Sequence, residues 1–403
     1  MKGEEMVIPH LFRCPISLDL FKDPVTLSTG QTYDRIFIEK WLSEGNATCP
    51  VTMQKLDDSS IVPNHTLRHL IHEWIIDNSE GQFEAADDEE NDVSIGEFKR
   101  ILESNESTLD DKILVLDKVH SLSEKLPLEN SRLIEFDFFG LLSELVFEIG
   151  TKSLKFVEKA LFCALKLMPF SEMESLNKIL EQETKYVVFL LLFEQGNISI
   201  KKSLCLVVEA ISSCVDTKNL GEKLGKSDKL LRGIVDVVQN KSEANEAGVR
   251  ALSSLSRIEK NRENLDKQGA VKGLIAYLSN VEIIEKGSLA PMAVSTIENL
   301  LLSVGSAKIA ILDNCCGVKA IVKMVFRVSN HEGSESAVNC LVIVCSDSKI
   351  ARETAIVEGV LTQLLLLLQS QCSARIKTKA RMLLKLLRTM WINEDLNNGF
   401  GVI

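Results

Sequence analysis

The sequence predicts a mainly α-helical chain in two parts: a small metal-free module of mixed strand and helix, then a long solenoid of helical repeats. Three observations predict this. Apolar residues make up 45% of the 403 positions and aromatics only 5%, a balance that favours helix packing over a β-sandwich. Residues 7–76 carry two short β-prone runs and two helical patterns. Beyond them a small-then-apolar pair recurs within helical patterns at Ala164-Leu165, Ala210-Ile211, Ala251-Leu252, Thr296-Ile297 and Cys340-Leu341, at intervals of 46, 41, 45 and 44 residues.

Taken in order, Val25–Ser28 and Gln31–Tyr33 flank Thr29-Gly30, which predicts a tight hairpin. Asp34 stands where an N-cap belongs, ahead of a helix over Arg35–Leu42. Ile38 and Leu42 share one face of that helix, and Phe37 and Trp41 the adjacent one. A last helix runs from about His65 to Ile76, with Asn64 as its cap and Leu67, Leu70, Ile71, Trp74 and Ile75 as its apolar stripe. The layout resembles that of a RING finger, but a zinc RING needs eight Cys/His ligands to close two tetrahedral sites. This segment has two cysteines, Cys14 and Cys49, four histidines and no C-x-x-C. A core, hydrogen bonds and ion pairs must hold it instead, and no metal or other cofactor is expected.

From Asp77 to Asp92 there are eight acids and no Lys or Arg. Such a run repels itself and buries little, so a mobile linker, assigned to 81–94, is expected between a module at 6–80 and repeats at 95–403. The clearest repeat runs from Ala247 to Asn280, and glycines recur after the inter-helix loops at Gly269, Gly317 and Gly359. The period and the run Gly269-Ala270-Val271…Leu274 resemble armadillo repeats, and about seven units fit the half. Stacked repeats of this kind make an extended binding face.

Several function classes fall away. A net charge of −11 argues against phosphate-backbone binding, and the basic run Lys377–Arg381 is short and helical in pattern. The longest apolar runs, Val187–Phe193 and Leu364–Leu368, are far shorter than the roughly 20 residues of a membrane span. The N-terminal stretch lacks the apolar core of a signal peptide, and the ten scattered cysteines do not form a secreted disulfide framework. A soluble protein of the cytoplasm, with the nucleus as a second compartment, is expected.

The motifs Ile8-Pro9…Phe12…Cys14-Pro15-Ile16-Ser17, Asp23-Pro24-Val25, Gly30-Gln31-Thr32-Tyr33-Asp34-Arg35, Ile38…Trp41-Leu42, Cys49-Pro50 and Pro63-Asn64 resemble the U-box pattern. With the repeats downstream, the whole chain resembles the plant U-box/armadillo E3 ubiquitin ligases. The resemblance implies a docking platform for an E2 enzyme charged with ubiquitin, with a protein substrate held on the armadillo groove. It implies an E2-binding groove of Ile16, Leu18, Trp41, Pro50 and Val51, and a structural brace of Asp23, Asp34, Arg35, Cys14 and Cys49. It points also to plant stress or immune signalling and admits dimerisation through the U-box.

Plainer readings stand beside these. Ile16, Trp41 and Val51 could be core residues. A catalytic cysteine would need a thiolate activated by a basic group or helix terminus, and only Arg13 adjoins Cys14. Family members with a basic residue shortly after the second Cys-Pro use it on E2 and ubiquitin, whereas here Met53, Gln54 and Lys55 stand. Either Lys55 or Gln54 substitutes for it, or the E2 is activated less strongly; the second case supports an alternative reading, an armadillo adaptor with a weak or inactive U-box.

Overall fold

The N-terminal module is built on a hairpin whose turn needs a left-handed residue. In the computed structural model, which describes residues 8–43, 46–56, 61–64, 66–68, 70, 71, 74, 95–125, 132–168, 173–214, 216–240, 242–280, 288–326 and 333–398, Gly30 supplies it with φ 79°. Strand β1 (Pro24–Leu27) pairs antiparallel with β2 (Thr32–Asp34), Val25 opposite Tyr33. The alternation buries Val25, Leu27 and Tyr33 on one face. On the other, Thr26 and Thr32 bring their hydroxyls within 3.0 Å of each other. A third strand, β3 (Ile61–Pro63), covers the free edge of β1 and gives the order β2-β1-β3. Three residues ending in proline carry no readable period, and the sequence did not predict it.

Helix α1 (Arg35–Ser43) drops Ile38 into the core formed by Cys14, Phe21, Val25, Tyr33 and Cys49, with Trp41 and Leu42 against its rim. Asn64 caps the next helical residues: its Oδ1 accepts from Leu67 N at 2.9 Å, while Nδ2 donates to Thr26 and Thr32 at 3.2 Å each. Leu67, Ile71 and Trp74 face inward, Trp74 edge-on to Phe12 with centroids 5.5 Å apart. Leu70, expected in that stripe, is 48% exposed, because the buried face is one residue wide at i, i+4 and i+7. His65, Ile75 and the acidic run Asp77–Asp92 lie outside the described residues.

The brace runs differently from the expected cap. Asp34, almost fully buried, turns its carboxylate back to accept the N–H groups of Lys22 and Asp23 at 3.0 Å each. Its own N–H points at Cys14 Sγ, 3.3 Å away. Asp23 in turn accepts from Arg35 Nε at 2.6 Å and from Arg68, a partner the sequence had not identified. The loop before β1 is thereby tied to α1 and to the last helix.

The chain forms two compact units, residues 1–138 and 139–403. Besides the N-terminal module, the first contains helical residues 95–103 and the helix Leu109–Lys125. In the second, six long helices stack in sequence: α2 (Leu154–Leu167), α3 (Ile198–Ser213), α4 (Asn245–Arg257), α5 (Ala290–Ser303), α6 (Ser334–Asp347) and α7 (Ala374–Asn398). Side-chain caps start α2 and α3, where Ser153 accepts from Phe156 N and Asn197 from Ile200 N. A second ladder joins Glu183–Gln195, Asp228–Gln239, Ala270–Asn280 and Gly317–Val322.

Ion pairs cross between neighbouring units at the repeat spacing. Lys223–Glu183 (3.0 Å), Lys260–Glu222 (2.9 Å), Lys319–Glu358 (2.9 Å) and Lys379–Glu335 (2.7 Å) join residues 38 to 44 apart in sequence. Gly269 and Gly359 turn the chain with φ 90° and 83°, whereas Gly317 is there for space, its absent Cβ falling 2.2 Å from Ile311 O. The small-apolar pair that revealed the repeat slips in register. Ala164 and Ala210 lie one turn before the caps Met168 and Cys214, while Ala251, Thr296 and Cys340 lie about two turns before Ile258, Val304 and Ser348.

Asp34→Ala leaves two N–H groups beside a buried site unpaired and should destabilise residues 1–138 by roughly 2–3 kcal/mol. Asp23→Ala should cost about 1 kcal/mol, because its pairs are a third exposed and water screens them. Urea unfolding followed by fluorescence of Trp41 and Trp74, the only tryptophans in that unit, measures both.

Candidate functional site

Two loops of the N-terminal module are copies of one turn. In Cys14-Pro15-Ile16-Ser17-Leu18, Cys14 N donates to Asp19 O and Leu18 N to Cys14 O, each at 2.8 Å. In Cys49-Pro50-Val51-Thr52-Met53, Cys49 N donates to Gln54 O and Met53 N to Cys49 O, each at 2.9 Å. A single antiparallel bridge closes each, Arg13 with Leu20 and Thr48 with Lys55. The fifth residue of each turn is left-handed, Leu18 at φ 63° and Met53 at φ 56°. That conformation costs an ordinary side chain about 1–2 kcal/mol, and the closing hydrogen bonds hold it.

The result is a pair of exposed apolar tips. Leu18 is 67% exposed, Met53 68%, Val51 52% and Ile16 36%. Sequence reasoning gave Leu18 a role and treated Met53 only as a missing charge. The signal that would have matched them is the shared spelling Cys-Pro-aliphatic-hydroxyl-aliphatic.

Each cysteine anchors its loop from inside, and both are fully buried. Cys14 Sγ accepts from Asp34 N, and Cys49 Sγ lies 2.9 Å from the Tyr33 hydroxyl. The same hydroxyl accepts from Val51 N at 3.1 Å. Tyr33 therefore couples β2 to the second loop at two points. Trp41, half-buried, donates its indole N–H to Thr48 O at 2.8 Å and binds α1 to that loop as well. Pro50 is half-buried between Cys49 and the exposed Val51. Asp23, Asp34 and Arg35 lie behind the first loop in the brace described above. Arg68 and Tyr33 are the residues that sequence reasoning missed.

Burial opposes ionisation of Cys49, but the hydroxyls of Thr29, Thr52 and Tyr33 outweigh it and push the thiol from 9.0 down to about 6. Burial, with the bond to Cys49, raises Tyr33 well above its usual value. Neither sulfur reaches solvent, so neither can receive ubiquitin from an E2. Among the described residues no three His, Cys, Asp or Glu side chains gather to hold a metal. The surface offers shape and apolar area rather than acid–base chemistry.

Tyr33→Phe removes the partner of Val51 N and one donor to Cys49, and should cost roughly 1–3 kcal/mol. The folded thiol value lies below the unfolded one, so its contribution is full above pH 9 and fades as pH falls through 6. Unfolding of residues 1–138 at pH 8 and pH 6 should show stability lost on acidification, with a smaller loss in Tyr33→Phe.

Comparison with known proteins covers both units. The U-box domain profile matches residues 8–80, and that of the plant U-box protein ARM repeat region matches 97–397. U-box domain-containing protein 26 of Arabidopsis thaliana is 32% identical over 96% of this chain and 93% of its own length. U-box domain-containing protein 25 of the same plant is 30% identical over 95% and 92%. E3 ubiquitin-protein ligase PUB23, also from Arabidopsis thaliana, is 26% identical over 96% and 94%. Among solved structures, a designed armadillo repeat protein aligns with 72% of this chain and 98% of its own at 15% identity and a TM-score of 0.35. With both parts of the pattern matched in order, the chain belongs to the plant U-box proteins with an armadillo repeat region and is a U-box-type E3 ubiquitin transferase.

Proposed function

We propose that Ile16, Leu18, Trp41, Pro50 and Val51 dock the loops of a ubiquitin-conjugating E2, while the repeat array holds the protein to be modified. The observation that carries this reading is the doubled Cys-Pro turn with exposed aliphatic tips on a braced base. An apolar surface of that kind normally marks a partner site. Substrate lysine attacks the thioester carbonyl of the E2-bound ubiquitin, an isopeptide bond forms, and the E2 thiolate leaves. The ligase lowers the barrier by placing the two reactants together, a gain of proximity and orientation.

The charge of the chain is divided. Residues 1–94 contain 7 Lys+Arg against 18 Asp+Glu, and residues 95–403 contain 39 of each. The array is neutral as a whole, so it selects its target by local contacts rather than by a bulk field. By family resemblance we extend the proposal to plant stress or immune signalling in the cytoplasm or nucleus, and to dimerisation through the U-box.

Met53 favours a second reading of strength rather than kind. It occupies the tip where a basic residue would reach both E2 and ubiquitin, and Gln54 and Lys55 beside it are exposed. A ligase with an aliphatic tip there activates its E2 weakly.

Two substitutions test the platform in a reaction with E1, E2, ubiquitin and ATP. Ile16→Ala, which truncates a docking contact, should reduce chain formation at least tenfold with little change in circular dichroism. Met53→Arg should raise discharge of the E2 thioester by roughly fivefold, the effect of one added hydrogen bond of about 1 kcal/mol. No chain formation by the unaltered protein with any of a panel of E2s would contradict the docking reading. Target binding by residues 95–403 without modification, and chain building by residues 1–94 without target binding, would support the division of labour.

A further inference from the structure

Ten cysteines are distributed unevenly between core and surface. Cys14, Cys49, Cys163, Cys205, Cys340 and Cys345 are buried, and Cys214, Cys316 and Cys372 are half-buried. Cys315 alone is exposed. It adjoins Cys316, and their sulfurs lie 3.8 Å apart. The other half-buried thiols have no thiol neighbour of this kind: Cys372 donates to Leu367 O at 3.2 Å, and Cys214 points at Asp216 Oδ2 at 4.0 Å.

The turn that presents the pair is fixed. It joins the helices Gly305–Leu312 and Gly317–Val322. Asn314 Oδ1 accepts from Cys316 N at 2.9 Å, and Asn314 O accepts from Gly317 N at 2.8 Å. Gly317 lies so near Ile311 O that no side chain fits there. The two thiols are thus held on the same side of a turn that does not have to move.

The bond between Cys315 and Cys316 is trans. Neighbouring Cα atoms across a trans peptide are about 3.8 Å apart, inside the roughly 4.4 Å lower limit usual for a disulfide. Oxidative closure is therefore disfavoured, whereas a ligand atom inserted between the sulfurs leaves them apart. The bond to Cys315 and its charge hold the proton on Cys316, and Lys319 and Lys323 work against that.

We infer that Cys315 and Cys316 form a vicinal dithiol site on the repeat array that chelates trivalent organoarsenicals, the two sulfurs acting as a bidentate ligand to arsenic. An organoarsenic oxide forms two As–S bonds, its oxygen leaves as water with both thiol protons, and arsenic remains trivalent. No oxidant or reductant is needed. Two sulfurs complete the coordination, which distinguishes arsenic from a tetrahedral metal ion needing four donors. The pair belongs to the second unit and serves none of the steps proposed for the U-box loops.

The probe is phenylarsine oxide, added in equimolar amount to the full-length protein and followed by intact-protein mass spectrometry. One adduct is expected, resistant to excess 2-mercaptoethanol and removed by 1,2-ethanedithiol. Cys315→Ser and Cys316→Ser should each reduce the monothiol-resistant adduct at least tenfold, while Cys214→Ser and Cys372→Ser retain it. Cys315 is exposed, so its replacement decides the matter even where Cys316→Ser does not fold. Persistence of the adduct in Cys315→Ser, or no adduct on the unaltered chain, would overturn the assignment.

Discussion

One buried carboxylate, that of Asp34, ties the base of the U-box together, and the rest of the module depends on it. Asp34 gathers the N–H groups of Lys22 and Asp23, and its own N–H meets Cys14 Sγ. Those contacts fix the base of the first loop, the start of α1 and the approach to β1 together. Asp23, with Arg35 and Arg68, extends the brace to the last helix. A zinc site would achieve the same closure with four ligands and no dependence on a core. Here a small core must form first, which is why Tyr33, Ile38 and both cysteines are fully buried.

The second loop hangs on Tyr33 and Trp41 rather than on charge. Its backbone nonetheless repeats that of the first loop, including the left-handed fifth residue. Two equal turns on one small scaffold give two apolar tips whose position is set by hydrogen bonds, not by side-chain packing. Aliphatic side chains can thus stay exposed without loss of the fold. The repeat array solves a different problem. No single unit of it can bury its own helices, so each long helix packs on the next and each ion pair reaches into the neighbouring unit.

Much of this was legible in the residues. The hairpin about Gly30, the cap at Asn64 and the helical repeat follow local rules of turn, cap and period. The structure differs where partners are distant in sequence. Nothing near Asp23 points to Arg68, 45 residues away. Asp34 looks like a cap because caps are local, yet its carboxylate turns back to a loop eleven and twelve residues earlier. Leu70 matched an apolar stripe wider than the face that the small core can accept. β3 is too short to show alternation, and its pairing with β1 is long-range. The equivalence of Leu18 and Met53 was present in the spelling of the two Cys-Pro loops, but only the shared hydrogen bonds and φ angles make it a physical statement.

The central claim is that a braced pair of equivalent loops forms the E2-docking surface. Methyl NMR of the full-length protein, with Ile, Leu, Val and Met methyls labelled and a functional E2 titrated in, tests it most directly. The account predicts that the signals of Ile16, Leu18, Val51 and Met53 shift or broaden together, while those of the buried Val25 and Ile38 and of the repeat array stay in place. E2-dependent shifts confined to the repeats, or no shift at the two loop tips with an E2 that the protein discharges, would contradict it.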